Sequence, residues 1–145
     1  YGLGAVADDE AAALRARLLK DLALEERGAR RGLRLIDAAD AYEDVLKRFP
    51  AAYPAINAAT LNLLAGRQGK AAALAEHAAA LARRERPQTP LDDYWRAATL
   101  AEAARLIEYW GSSKNPTLSS SRSRSRGPTM RSSSWVRRTL PTAST

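Results

Sequence analysis

Along residues 8–111 the apolar side chains return every three or four positions, the period of an amphipathic α-helix. Five helices are predicted from that pattern. The first runs from Asp8 or Asp9 to Arg27, with Leu14, Leu18 and Leu22 as its apolar stripe and Ala11 and Leu19 beside it. Asp8, Asp9 and Glu10 then place negative charge on the free N–H groups of a first turn, and Gly28 supplies a stop. The second spans Arg30 to Phe49. Its stripe is Leu35, Ala39, Tyr42, Leu46 and Phe49, widened by Ile36 and Val45. Glu43–Lys47 and Asp44–Arg48 have the acid four residues ahead of the base, a pattern suited to a solvated face. Pro50 ends that helix, because proline has no N–H for the ladder. The third begins near Pro54, carries Ile56, Ala59, Leu63 and Leu64, and closes at Gly66. The fourth, Gln68 to Arg84, sets Leu74, Ala78 and Leu81 on an alanine-dense surface that lets a neighbour come close. Thr89-Pro90-Leu91-Asp92 reads as a capping box. It opens the fifth helix, whose face is Leu100, Ala103, Ile107 and Trp110 and whose end is Gly111.

Short connections make sequential helices antiparallel neighbours, so the expected fold class is all-α, built of helical hairpins over residues 8–111. Composition changes the picture only after that point. All 16 acidic residues and 16 of the 23 basic ones lie between Asp8 and Glu108, so the helical part is formally neutral. Lys114 and the arginines after it, with no acid among them, make up the whole net charge of +7. Serine first occurs at Ser112 and is frequent from there on. Residues 112–145 are therefore expected to be a disordered, Ser/Arg-rich basic tail. Pro116 falls where the second helix of a hairpin is due, so the tail is expected not to continue the fold; a truncated or frame-shifted coding sequence would produce such a break. The chain starts without Met and without a basic-then-apolar leader, which suggests a piece of a longer, cytoplasmic protein. No apolar run approaches the roughly 20 residues of a membrane span.

The spacing of small and aromatic residues points to a repeat. Ala38, Tyr42, Val45 and Pro50 follow the spacing of a tetratricopeptide unit, with Val where Ala is usual. Gly66, Ala71, Ala75 and Ala78 continue it in a second unit that lacks the large aromatic.

Longer strings carry a resemblance to a known family. They are Arg17-Leu18-Leu19-Lys20-Asp21-Leu22-Ala23-Leu24, Ala41-Tyr42-Glu43, Tyr53 to Leu61 with Leu63-Leu64-Ala65-Gly66, and Tyr94 to Ala103. Together they resemble the TRAFs-binding domain, found in the central regulatory region of apoptosis signal-regulating kinases and in bacterial signalling proteins. The resemblance covers residues 11–111 and implies a tetratricopeptide-like array acting as scaffold or regulator. It implies no catalytic residue.

Candidate chemistry is sparse. With His77 the one histidine and no cysteine, multi-histidine and thiolate metal sites and disulfides are excluded within one chain, and His77 itself reads as an ordinary helix-surface or hairpin-contact residue. Asp92 and Asp93 fall in a first helical turn, where dipole complementation explains them without a metal. Gly66-Arg67-Gln68-Gly69-Lys70 lacks phosphate-loop spacing and follows no strand, so it reads as a hairpin turn. No catalytic, cofactor or metal residue is expected, and hence no enzyme. Asn57 and Thr60 share one face of the third helix, placed either to bond between helices or to contact a partner. Tyr94, Trp95, Tyr109 and Trp110 suit a core or the stacking of one repeat on the next, and alternatively a partner groove. The expected partner-binding set is Asn57, Thr60, Tyr94 and Trp95, and the expected partner is a protein or a neighbouring domain. Nucleic acid enters only as the alternative, through Arg122, Arg124, Arg126, Arg131, Arg137 and Arg138 of the tail by counterion release.

Overall fold

In a computed structural model of the chain, residues 3–114 are described, with side chains described from Ala7 onward. They form five helices: α1 (Leu3–Glu25), α2 (Arg30–Arg48), α3 (Ala52–Leu64), α4 (Gln68–Arg84) and α5 (Pro90–Lys114). No strand occurs among them. Each helix packs on the next, and α3 also touches α5. The fold is thus two antiparallel hairpins, α1–α2 and α3–α4, followed by the single helix α5. The expected tail lies outside the described residues from position 115 onward.

Two kinds of corner alternate. Within each hairpin the turn carries a left-handed glycine, Gly28 at φ 73° and Gly66 at φ 84°, a conformation that costs any other residue steric strain. Between hairpins the corner carries a proline instead, Pro50 or Pro87. The capping box at Thr89 forms as expected. The Asp92 N–H donates to Thr89 Oγ1 at 3.1 Å and the Thr89 N–H donates to Asp92 Oδ2 at 3.0 Å.

Several helix ends differ from the sequence reading. Helix α1 starts at Leu3, five residues ahead of the acids, so Asp8 and Asp9 lie beyond the first turn. Asp9 instead meets Arg48 at 3.8 Å and ties the open ends of the first hairpin. Pro54 sits third in α3, still inside the turn whose N–H groups have no intrahelical partner. Helix α5 runs through Gly111 to Lys114, since one interior glycine costs only about 1 kcal/mol.

The core is made largely of alanine. One cluster joins Ala16 and Ala23 of α1 to Leu35, Ala38, Tyr42 and Val45 of α2 and to Ala58 and Leu61 of α3. The other joins Ala55, Ile56 and Ala59 of α3 to Ala75, Ala78 and Ala79 of α4 and to Ala103 and Leu106 of α5. The stripe Leu14, Leu18 and Leu22 is not part of either: these side chains are 57%, 54% and 51% exposed. Helix α1 turns its alanine face to α2 because small side chains permit the closer approach. Phe49 also lies outside the core, at the extended residue that ends α2.

Glu43 departs from its expected place on a solvated face. It accepts from Asn62 Nδ2 at 3.0 Å and pairs with Lys70 at 2.8 Å, joining α2, α3 and α4. Asn62 is completely buried, so Glu43 satisfies a donor that water does not reach. Lys47 pairs with Asp44 rather than Glu43.

Tyr42 is 1% exposed, and its ring meets Tyr53 edge-on at 6.2 Å. Tyr42→Ala should cost about 3–5 kcal/mol, the range for a buried aromatic truncation. Glu43→Ala should cost about 1–3 kcal/mol, as for an orphaned buried donor. Urea unfolding of both variants checks the pair, and a negligible Glu43 effect would contradict the network. Burial, reinforced by the Tyr53 hydroxyl, pushes the Tyr42 phenol well above its ordinary value. The folded state therefore holds this proton more tightly than the unfolded chain. The resulting stability is intact below about pH 10 and is lost as pH rises through the folded pKa. Tyr42→Phe should show a shallower alkaline loss of stability in pH-dependent melts.

Candidate functional site

Helices α1, α3 and α5 share one register. In each, the residues turned to its own hairpin mate occupy equivalent places: Ala16, Leu19 and Ala23 on α1, and Ala52, Ala55 and Ala59 on α3. The equivalent positions of α5 are Tyr94, Ala97 and Ala101, which are exposed. A second set of equivalent positions looks into a groove. From α1 come Lys20 and Leu24, from α3 Tyr53, Ile56, Asn57 and Thr60, and from α5 Trp95, Ala98, Thr99 and Glu102.

The main groove holds about 830 Å³, and a smaller recess of about 190 Å³ adjoins it, sharing Lys20, Ile56, Asn57 and Glu102. Polar bonds tie the three helices across this floor. Lys20 Nζ donates to Asn57 Oδ1 at 2.8 Å, and Asn57 Nδ2 donates to the Tyr53 carbonyl at 2.9 Å. Thr60 Oγ1 donates to Glu102 Oε1 at 2.6 Å. Asn57 and Thr60 therefore bond between helices, and both also line the recess that adjoins the groove.

The far end of the groove is fixed by contacts to helix ends. The Ala52 N–H donates to Glu85 Oε1 at 2.8 Å, so an acid from the α4–α5 connection caps α3, which has no side-chain cap of its own. Arg96 Nε donates to the Ala82 carbonyl at 2.7 Å and holds the last turn of α4 against α5. Glu85 and Arg96 were not singled out from the sequence. Their partners lie on other helices, and no local spacing announces them.

Trp95 is 59% exposed and stands on the groove wall, while Tyr94 is 63% exposed and turns toward the uncovered face of α5. The rings meet edge-on with centroids 5.3 Å apart. A core role for these two is thus overturned. Trp110 is half-buried, with its ring over Gly69 and Lys114 Nζ 4.5 Å from its centre. His77 lies on the exposed side of α4. No cluster of His and acidic residues capable of holding a metal occurs among the described residues. No helix among them is long and apolar enough to cross a membrane.

Residues 3–62, the first hairpin and most of α3, match the family described as Tetratricopeptide Repeats-Sensor. The array is tetratricopeptide-like. No curated protein and no solved structure matches the chain. The alternation of glycine turns within hairpins and proline corners between them accords with that likeness, as does the common register of the first helices.

Exposed aromatics on a groove wall should contribute little to folding. Trp95→Ala and Tyr94→Ala should each shift unfolding free energy by less than about 1 kcal/mol, against about 2–3 kcal/mol for Leu106→Ala in the core. Chemical denaturation of the three variants checks this. A large loss at Trp95 would mean that the ring is structural.

Proposed function

We propose that this chain is a non-catalytic interaction and regulatory module that receives a protein segment in the groove of α1, α3 and α5. The single observation that carries this reading is the groove itself. It is open, about 830 Å³ in volume, walled by an exposed tryptophan and floored by polar groups already bonded to one another. A floor bonded in this way costs little to organise on binding, which favours affinity for an extended segment. Asn57 and Thr60 at the floor and Trp95 at the wall are the proposed contacts, with Tyr94 beside the wall. Acidic and basic side chains both line it, which suits the alternating donors and acceptors of a peptide backbone.

The resemblance to the TRAFs-binding domain supports a regulatory role within a larger cytoplasmic signalling protein, and the word sensor in the description of the matching family points the same way. Tetratricopeptide-type repeats act as scaffolds rather than catalysts, which supports the non-enzymatic reading. No cofactor enters it. Nucleic-acid binding by the six arginines after Lys114 is the second reading, supported by the fact that with Lys114 they make up the whole net charge of +7.

An arrayed peptide library probed with the full chain tests the groove. Peptides that bind it should lose roughly thirtyfold in affinity with Trp95→Ala, about 2 kcal/mol for an aromatic anchor. Their binding should survive removal of residues 115–145. Binding indifferent to Trp95 and Asn57 would refute the groove. Binding lost with the tail, and steeply weakened by salt, would favour the nucleic-acid reading.

A further inference from the structure

The common register of α1, α3 and α5 exposes a vacancy at one side of the array. On α3, Ala58 and Leu61 pack into the cluster of the hairpin before it. On α5, Leu100, Ala103 and Ile107 pack in the cluster that contains α4, while Arg96 bonds to the Ala82 carbonyl. These residues are equivalent: Ala58 immediately precedes the mate-facing Ala59, and Leu100 immediately precedes Ala101. On α1 the same rule selects Leu18, which precedes Leu19, and Leu22, which precedes Ala23. Leu14 lies one turn earlier on that line, and all three are more than half exposed. Two of the three first helices thus have this face covered by the second helix of a hairpin. The third carries its largest apolar side chains there and has nothing over them among the described residues.

We infer that Leu14, Leu18 and Leu22 form a stacking face for the second helix of a further helical hairpin, seated on α1 as α4 is seated on α5. Its chemistry follows from the interface already present. Leu100, Leu106 and Ile107 of α5 pack against an α4 surface of Ala75, Ala78 and Ala79, large side chains against small ones. The leucines of α1 are of the same size, so the helix that covers them presents an alanine-rich face at helical spacing. The groove plays no part in this surface, so failure of the groove reading leaves it untouched. In a stacked array each unit buries its apolar face only against a neighbour, which is why an open leucine ridge at one end calls for another unit.

The absence of cysteine from the chain gives a direct test. Leu18→Cys reports on the face, and Leu33→Cys, at an exposed position of α2 outside that register, serves as its control. A duplicate of residues 52–86, which contains α3 and α4, is joined ahead of the full chain through a flexible glycine–serine linker. Thiol labelling at position 18 should slow roughly tenfold or more in the fusion, as for a site shielded by stacking, with position 33 unchanged. Equal rates at position 18 with and without the added hairpin would overturn the inference, whether or not the hairpin gains helix. Protection of position 18 in the unfused chain that grows with protein concentration would also overturn it, because a second copy would then be the occupant.

Discussion

Three alanines of α3, Ala55, Ala58 and Ala59, have no exposed surface, and the structure depends on how closely other helices approach them. Ala58 belongs to the cluster of the first hairpin, while Ala55 and Ala59 belong to that of α4 and α5. A larger side chain at any of the three would push a helix outward, and close-packed interiors do not absorb such a change locally. Because α3 is shared, its position sets both hairpin stacking and the separation of α1 from α5. Those two helices are the walls of the groove, and α3 is its floor.

The polar contacts follow the same division. On the buried side of α3, Glu43 accepts from the Asn62 amide nitrogen and anchors Lys70, which fixes α3 between α2 and α4. On the groove side, Lys20 reaches Asn57 and Thr60 reaches Glu102, spanning from α1 to α5. Buried polar bonds specify one arrangement where alanine packing alone would tolerate sliding. The groove is therefore held in shape by contacts that also hold the fold, and the rings of Tyr53 and Trp95 stand exposed along it.

Much of the architecture was legible in the sequence because local signals agreed. The ends of α4, the capping box at Thr89, the glycine turns at Gly28 and Gly66 and the proline corner at Pro50 all depend on backbone chemistry within a few residues. What failed depended on distance. Periodicity showed that Leu14, Leu18 and Leu22 share a face, but periodicity does not say which way that face turns, and the alanines opposite won the contact with α2. Glu43 sits at a spacing typical of a surface pair, yet its partners lie on α3 and α4. Asn57 and Thr60 were recognisable as unusual polar residues on an apolar helix, whereas Glu85 and Arg96 were hidden among many charges in an Arg- and Glu-rich chain.

Native-state hydrogen exchange across the five helices tests the central claim most directly, that α3 couples both hairpins and α5 into one unit. The account predicts that the amides of Ala58 to Leu61 exchange slowest, and that α2 and α4 lose protection together in the same opening. Exchange of α1 and α2 in one step and of α4 and α5 in another, with α3 no better protected than either, would contradict it.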